Sequence, residues 1–207
     1  MASRSALRRQ MRSRRRRLAR AEQAVCAHRV AHHLVTTPLF LRSQRIAFYL
    51  AHEGELDPYP LMARAWALGK VVYLPVLRFL GGRHLRFAQY RSGDTLRRNR
   101  FGIPEPLRPP SELARAQDLD LVLAPLVAFD AWGHRLGMGG GFYDRTLGFL
   151  QHRLCWHRPR LVGLAYSFQE VSELPVSPWD VPLQGIVTEL GFRATPYSEP
   201  RTCSTGC

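Results

Sequence analysis

Residues 135–147 read Arg-Leu-Gly-Met-Gly-Gly-Gly-Phe-Tyr-Asp-Arg-Thr-Leu, and their types and spacing could do chemistry. Gly137, Gly139, Gly140 and Gly141 place four glycines in five positions. Glycine admits positive φ and lets the main chain approach a ligand closely. Successive N–H groups in such a loop form a nest for an anion, and a helix starting behind it adds its dipole. Ordering so many glycines is entropically costly, which argues for a use. The spacing matches neither the G-x-x-x-x-G-K-[ST] phosphate loop nor the G-x-G-x-x-G dinucleotide fingerprint. Two readings therefore stand side by side. In one, the segment is a surface loop, Asp144 caps the following helix, and Phe142 and Tyr143 pack beneath it. In the other, the loop holds phosphates and Asp144 is a Mg²⁺ ligand beside them.

Elements that could position such a loop are visible on either side. Arg45-Ile-Ala-Phe-Tyr-Leu50 is short, apolar and β-branched, a buried strand. Asp57 followed by Pro58 opens a helix that runs to Leu68 and stops at Gly69, after which Lys70-Val-Val-Tyr-Leu74 is a second strand. Strand, helix and strand make a βαβ unit with parallel pairing and a right-handed crossover. Gly81-Gly82 turns into a strand over residues 83–90, and residues 91–119 are rich in turn formers around Phe101-Gly-Ile-Pro-Glu-Pro106. Further strands are expected at 119–124, 161–165 and 185–190, with a helix over 144–152 behind the glycine loop. The expected fold is α/β: a single domain over residues 1–193, a mostly parallel sheet with helices on both faces, and a flexible tail over 194–207.

At the start, residues 1–21 hold nine arginines and no acid, with Leu7, Met11 and Leu18 on one helical face. The plain reading is an exposed basic helix, continued helically by residues 21–35 until Pro38. The whole chain carries a formal charge of +14, and Lys70 is its single lysine. Such a balance implies an anionic partner: nucleic acid, a membrane surface, or polyphosphate and carboxylate substrates. At 45% hydrophobic and 22% charged residues the chain can bury a core, which excludes a disordered polyelectrolyte. No apolar run is long enough to span a bilayer. A soluble, cytoplasmic protein is expected. Cys26, Cys155, Cys203 and Cys207 show no disulfide framework, and nothing nearby completes a metal site with the last two.

Residues 135–147 resemble the signature of the 5-formyltetrahydrofolate cyclo-ligases, also called methenyltetrahydrofolate synthetases. Other segments agree in order. Arg4-x-x-Leu7-Arg8 resembles the family's N-terminal Lys-x-x-Leu-Arg. Tyr49-Leu50, Glu55-Leu-Asp57 and Gly69-Lys70 resemble its first βαβ unit, and Phe101-Gly-Ile-Pro-Glu-Pro106 its middle loop. Phe129-Asp130, Gln169, Leu174-Pro175 and Asp180 fit the remainder. The resemblance implies ATP- and Mg²⁺-dependent conversion of 5-formyltetrahydrofolate to 5,10-methenyltetrahydrofolate, ADP and phosphate. It implies ATP contacts from Arg4, Ser5, Ala6, Leu7 and Arg8, and from Arg135, Leu136, Gly137, Met138, Gly139, Gly140, Gly141, Phe142 and Tyr143. Leu50 and Glu55 would meet the folate, with Met138, Gly139, Gly140, Gly141 and Phe142 where its formyl group faces the γ-phosphate. Asp144 and Asp180 would hold Mg²⁺, and Tyr143 and Arg145 would act at the reacting centre. The substrate would be a reduced folate, with or without a polyglutamate chain, and the enzyme a monomer.

Three positions depart from the family pattern. Arg4 stands for the N-terminal lysine, exchanging a point charge for a planar fork. Gly140 stands where many members have a loop lysine, and a neighbour such as Arg135 or Arg145 would supply that charge. Phe142 replaces a common tyrosine.

Other functions are weighed against this one. Arg14-Arg15-Arg16-Arg17 suggests a nucleic-acid-binding helix, though no recognition motif accompanies it. The acid-free start also suits a mitochondrial presequence, but Arg4-x-x-Leu7-Arg8 begins almost at Met1. An α/β enzyme acting on sugar phosphates or acyl-CoA would need a carboxylate or nucleophile that the loop region does not offer. His28, His32 and His33 have helical spacing but no carboxylate partner, so helix-surface histidines are expected rather than zinc ligands.

Overall fold

The computed structural model describes residues 3–77, 84–99, 101–152 and 158–198. In chain order the elements are helices α1 (Arg4–Arg17), α2 (Arg20–Val35) and α3 (Pro38–Arg42), strand β1 (Arg45–Ala47), helix α4 (Tyr59–Ala67), and strands β2 (Val71–Leu77) and β3 (Leu85–Gln89). A hairpin of β4 (Leu96–Arg98) and β5 (Pro104–Pro106) follows, then β6 (Leu121–Pro125) and a second hairpin of β7 (Ala128–Phe129) and β8 (Arg135–Leu136). Helix α5 (Phe142–Leu147) and strands β9 (Arg160–Leu164), β10 (Gly185–Thr188) and β11 (Gly191–Ala194) complete it.

Seven strands form one sheet in the order β11-β10-β9-β6-β1-β2-β3. The inner pairings are parallel, and antiparallel β3 and β11 close the two edges. Both faces are covered, so the central strands are apolar on both sides rather than alternating. On one face Ile46, Leu121, Leu123 and Val162 pack against Val30 and Leu34 of α2 and Leu61 and Met62 of α4. On the other, Ala47, Val122, Ala124 and Leu161 meet Phe87, Leu119, Leu183 and Leu147 of α5. A third cluster ties α1 to the β7–β8 hairpin through Leu7, Met11, Val127, Ala128, Leu136 and Leu174. The expected α/β fold is therefore present, with its helices on both faces.

Differences from the sequence reading have local causes. The N-terminal helix breaks at Leu18 and Ala19, where Glu22 turns back to accept the Ala19 N–H at 3.0 Å. Helix α4 starts at Tyr59 with Pro58 as its N-cap, although Asp57 still accepts the Tyr59 N–H at 3.0 Å. The helix behind the glycine loop begins at Phe142 and tightens into a 3-10 turn over Gly148–His152. The domain continues past residue 193: Ala194 ends β11, and Thr195 is buried with its hydroxyl donating to the Leu183 carbonyl. Residues 199–207, with Cys203 and Cys207, lie outside the described residues, as do Cys155 and the Gly81-Gly82 turn. Among the described residues no helix is long and apolar enough to cross a membrane.

Candidate functional site

The β7–β8 hairpin leaves the carboxyl end of β6 and delivers the glycine loop. Asp130, fully buried, shapes the hairpin by accepting the N–H groups of Trp132 and His134 at 3.0 Å and of Leu174 at 3.2 Å. Its second oxygen lies 2.9 Å from His134 Nδ1. The loop ends at Gly141, which has φ 61° and is the N-cap of α5. That left-handed conformation strains any residue bearing a Cβ. Asp144 is thus the third residue of the helix and not its cap, which removes the structural role the sequence left open for it. Helix α5 has 6 residues, so its dipole is small and the charge at the loop comes from side chains.

Arginines and aspartates from three parts of the chain converge there. Arg135 has a side chain only 4% exposed; it donates to Asp144 Oδ1 at 2.5 Å and to the Val181 carbonyl. Asp144 Oδ1 also accepts the Val181 N–H at 3.2 Å. From α1, Arg4 pairs with Asp180 Oδ2 at 2.7 Å and donates to Ser177 Oγ at 2.9 Å. One turn later Arg8 Nε donates to the Gly137 carbonyl at 2.8 Å. Arg145 donates to the carbonyl of Gly140 and lies over the Phe142 ring at 5.4 Å. Phe142 in turn meets Phe101 edge-on at 6.1 Å, tying the middle loop to the glycine loop.

The four arginines, Asp144 and Asp180 line a cavity of about 520 Å³ together with Gly137, Gly139, Gly141, Gln151, His152 and the exposed Trp179. Four arginines face two aspartates, leaving it positive. The pair Asp144 and Asp180 supplies hard oxygen donors, which suits a Mg²⁺ ion that takes one or two carboxylates and completes its shell with phosphate oxygens and water. Among the described residues no three His, Cys, Asp or Glu side chains gather into a closed metal cage. A second cavity of about 490 Å³ lies at the amino ends of the strands, bordered by Arg42, Asp120, Arg160 and Gln184. Size does not separate the two cavities. The first alone receives the glycine loop, the nearby main-chain amides and both aspartates.

Not every residue expected at the nucleotide reaches this cavity. Leu7 and Leu136 are buried in the cluster that ties α1 to the β7–β8 hairpin. Ser5 is exposed at the start of α1, with its hydroxyl 3.0 Å from that of Ser3, and neither Ser5 nor Ala6 lines the cavity. Met138 is exposed at the loop's outer edge.

Glu55 and Leu50 come from the segment after β1. Leu50 packs against the first core cluster. Glu55 closes a turn by accepting the His52 N–H at 3.2 Å, and its side chain is 10% exposed. Burial pushes its carboxyl up to about 7, against the pull of Arg15 and the His52 amide. Tyr143 connects this region to the arginine-lined cavity: burial raises its hydroxyl well above the usual tyrosine range, the Glu55 carboxylate adds to the rise, and Arg135 opposes it. Tyr166, stacked on Phe168 at 5.4 Å, and Arg15, 1% exposed, border the same region and were not singled out by sequence.

The raised Glu55 carboxyl has a thermodynamic consequence. The native protein keeps this proton up to about pH 7, whereas the unfolded chain releases it near the ordinary glutamate value of about 4.3. Between those limits the native state binds more protons, so stability is full at the acidic end and falls as pH rises. The size is at most about 4 kcal/mol. Glu55→Gln is expected to flatten that slope in urea unfolding between pH 4.5 and 8. A wild-type protein with no such slope would contradict it.

The model of the 5-formyltetrahydrofolate cyclo-ligase family matches residues 1–189. The chain is 41% identical to 5-formyltetrahydrofolate cyclo-ligase of Escherichia coli (strain K12) over 178 residues, covering 86% of this chain and 96% of the relative. It is 41% identical to the enzyme of that name from Haemophilus influenzae, covering 81% and 84%. Among solved structures, 5,10-methenyltetrahydrofolate synthetase of Aquifex aeolicus superposes with a TM-score of 0.76 at 33% identity, covering 93% of each chain.

Proposed function

The chain belongs to the 5-formyltetrahydrofolate cyclo-ligase family and is an enzyme with that activity, and we propose that it uses ATP and Mg²⁺ to close the folate ring in the site described above. The γ-phosphoryl group passes to the formyl oxygen of 5-formyltetrahydrofolate, releasing ADP. N10 then attacks the activated carbon and phosphate leaves, giving 5,10-methenyltetrahydrofolate. Activation is needed because a formamide oxygen is a very poor leaving group.

The convergence of Arg4, Arg8, Arg135 and Arg145 with Asp144 and Asp180 on the cavity at the glycine loop is the observation that supports this best. Such a cluster suits the phosphates of ATP. The Tyr143 hydroxyl, kept protonated by its surroundings, can donate to the formyl oxygen. Arg4, Arg8, Arg135 and Arg145 line the cavity and can neutralise and align the triphosphate, which is where electrostatic preorganisation acts. Asp144 and Asp180 would hold the Mg²⁺ ion, which would supply positive charge to offset that of the phosphates. Phe142, which meets Phe101 edge-on beside the glycine loop, would help shield the reacting carbon from water, which would otherwise consume the activated intermediate. Arg145, on the Gly140 carbonyl, can supply positive charge beside the loop glycines.

The nucleic-acid reading gains no support, because its basic run is interrupted. Arg15 turns inward, and Arg14 lies over Phe168 at 4.6 Å. The proposal is tested by following methenyltetrahydrofolate absorbance in a complete mixture and in mixtures lacking ATP or Mg²⁺. Product is expected only in the complete mixture. Equal rates without ATP, or no product with everything present, would overturn it.

A further inference from the structure

We infer that Arg15 is a positioning residue for Glu55, holding from α1 the carboxylate that meets the folate; this rests on the reading of Glu55 given above. Arg15 belongs to the run of four arginines that the sequence presents as solvated. Its side chain is instead 1% exposed, the most deeply enclosed guanidinium among the described residues. Nη1 donates to the Leu126 carbonyl at 3.3 Å and stands 3.8 Å from Glu55 Oε1. Nε and Nη2 are buried with no hydrogen-bond partner. Leaving two donors of a buried cation unpaired is costly, and such an arrangement persists where it has a use.

The rest of α1 is joined to the same turn. Arg12 pairs with Glu53 at 2.5 Å. Gly54 lies so close to α1 that a Cβ there would stand 3.2 Å from the Arg15 carbonyl oxygen. The turn over residues 52–55 is thus gripped by α1 through an ion pair, a main-chain contact and the Arg15 guanidinium. One helix therefore serves both halves of the site. Arg4 and Arg8 face the glycine loop from its first turns, and Arg15 faces Glu55 three turns from its start.

The test is a double-mutant cycle on the full chain, using Arg15→Met, Glu55→Gln and the pair, read as KM for 5-formyltetrahydrofolate, KM for ATP and kcat. Arg15→Met is expected to raise the folate KM by about 10-fold or more with the ATP KM within about 2-fold, because contacting charged pairs couple strongly. In the Glu55→Gln background the same substitution is expected to change the folate KM by less than about 2-fold. Arg15→Lys should recover part of the loss. The inflection of folate KM with pH should move upward in Arg15→Met, since the groups left facing Glu55 are Glu53, Tyr49, Tyr143 and the His52 amide, none of them cationic. An unchanged folate KM in Arg15→Met, or an equal penalty in both backgrounds, would overturn the inference. A folate KM unaffected by Glu55→Gln would instead overturn the parent reading of Glu55. Should methionine prevent folding, seen as loss of a cooperative thermal transition, the same cycle is run with the neutral Arg15→Gln and the same criteria.

Discussion

Asp144→Asn is expected to lower turnover by about two to three orders of magnitude, the size of effect seen when one preorganised charge-stabilising contact is lost from a catalytic centre. The substitution keeps an oxygen where Oδ1 accepts from Arg135 and from the Val181 N–H. Local geometry is therefore retained while the carboxylate charge is removed. Stability should fall by about 1–3 kcal/mol, because Arg135, almost wholly buried, loses its ionic partner. The two readouts separate the roles of the residue. A Mg²⁺ titration of the rate should shift to much higher concentration in the variant, with the thermal midpoint moving only modestly. An unchanged Mg²⁺ dependence with a collapsed midpoint would leave Asp144 as nothing more than the counter-ion of Arg135.

The second large effect is on stability, at a glycine outside the loop run. Gly133 has φ 91°, and an added Cβ would stand 2.6 Å from the Leu183 carbonyl oxygen and 3.0 Å from the Thr195 side chain. The obstructing oxygen is main chain from a fully buried residue, and the Leu183 N–H is itself bonded to the Gly133 carbonyl at 2.8 Å. Nothing there can yield without moving the hairpin away from residues 180–183. Gly133→Ala should therefore cost about 3 kcal/mol, from left-handed strain and overpacking together. For a chain of this length that lowers the thermal midpoint by roughly 6–12 °C. Because the displaced stretch carries Asp180, the affinity for ATP should weaken as well. A midpoint within 1 °C of the parent would show that the contact is readily relieved.

Much of the frame was legible in sequence because it rests on local signals. The strand at residues 45–47, the helix entered through Asp57, the strand from Val71 and the glycine loop each have a composition or punctuation that fixes them within a few residues. The glycine loop was legible because main-chain N–H groups approach an anion closely only where side chains are absent. Two antiparallel edges were not legible: β3 and β11 differ from their parallel neighbours in direction, which depends on the path of the connecting chain. The tail boundary differs because the residues after Phe192 are polar, and it is tertiary contact with Leu183, Gln184 and Gly133 that buries Thr195.

Arg15 marks the division most clearly. Helical spacing from Leu7 and Met11 leads straight to position 15, a signal that could have marked it as inward-facing. Its residue type argued the opposite, since a lone guanidinium almost never leaves water. The sequence alone determined the α/β class, the loop, and the likeness to a folate-cyclising family, because propensity, periodicity and motif order are properties of neighbours along the chain. Only the tertiary structure decided which arginine pairs with which aspartate, that Asp144 is no cap, and that α1 reaches both Asp180 and Glu55. Those facts join residues as far apart as Arg4 and Asp180, and the energy of a charge depends on what surrounds it in space, which no interval in the sequence specifies.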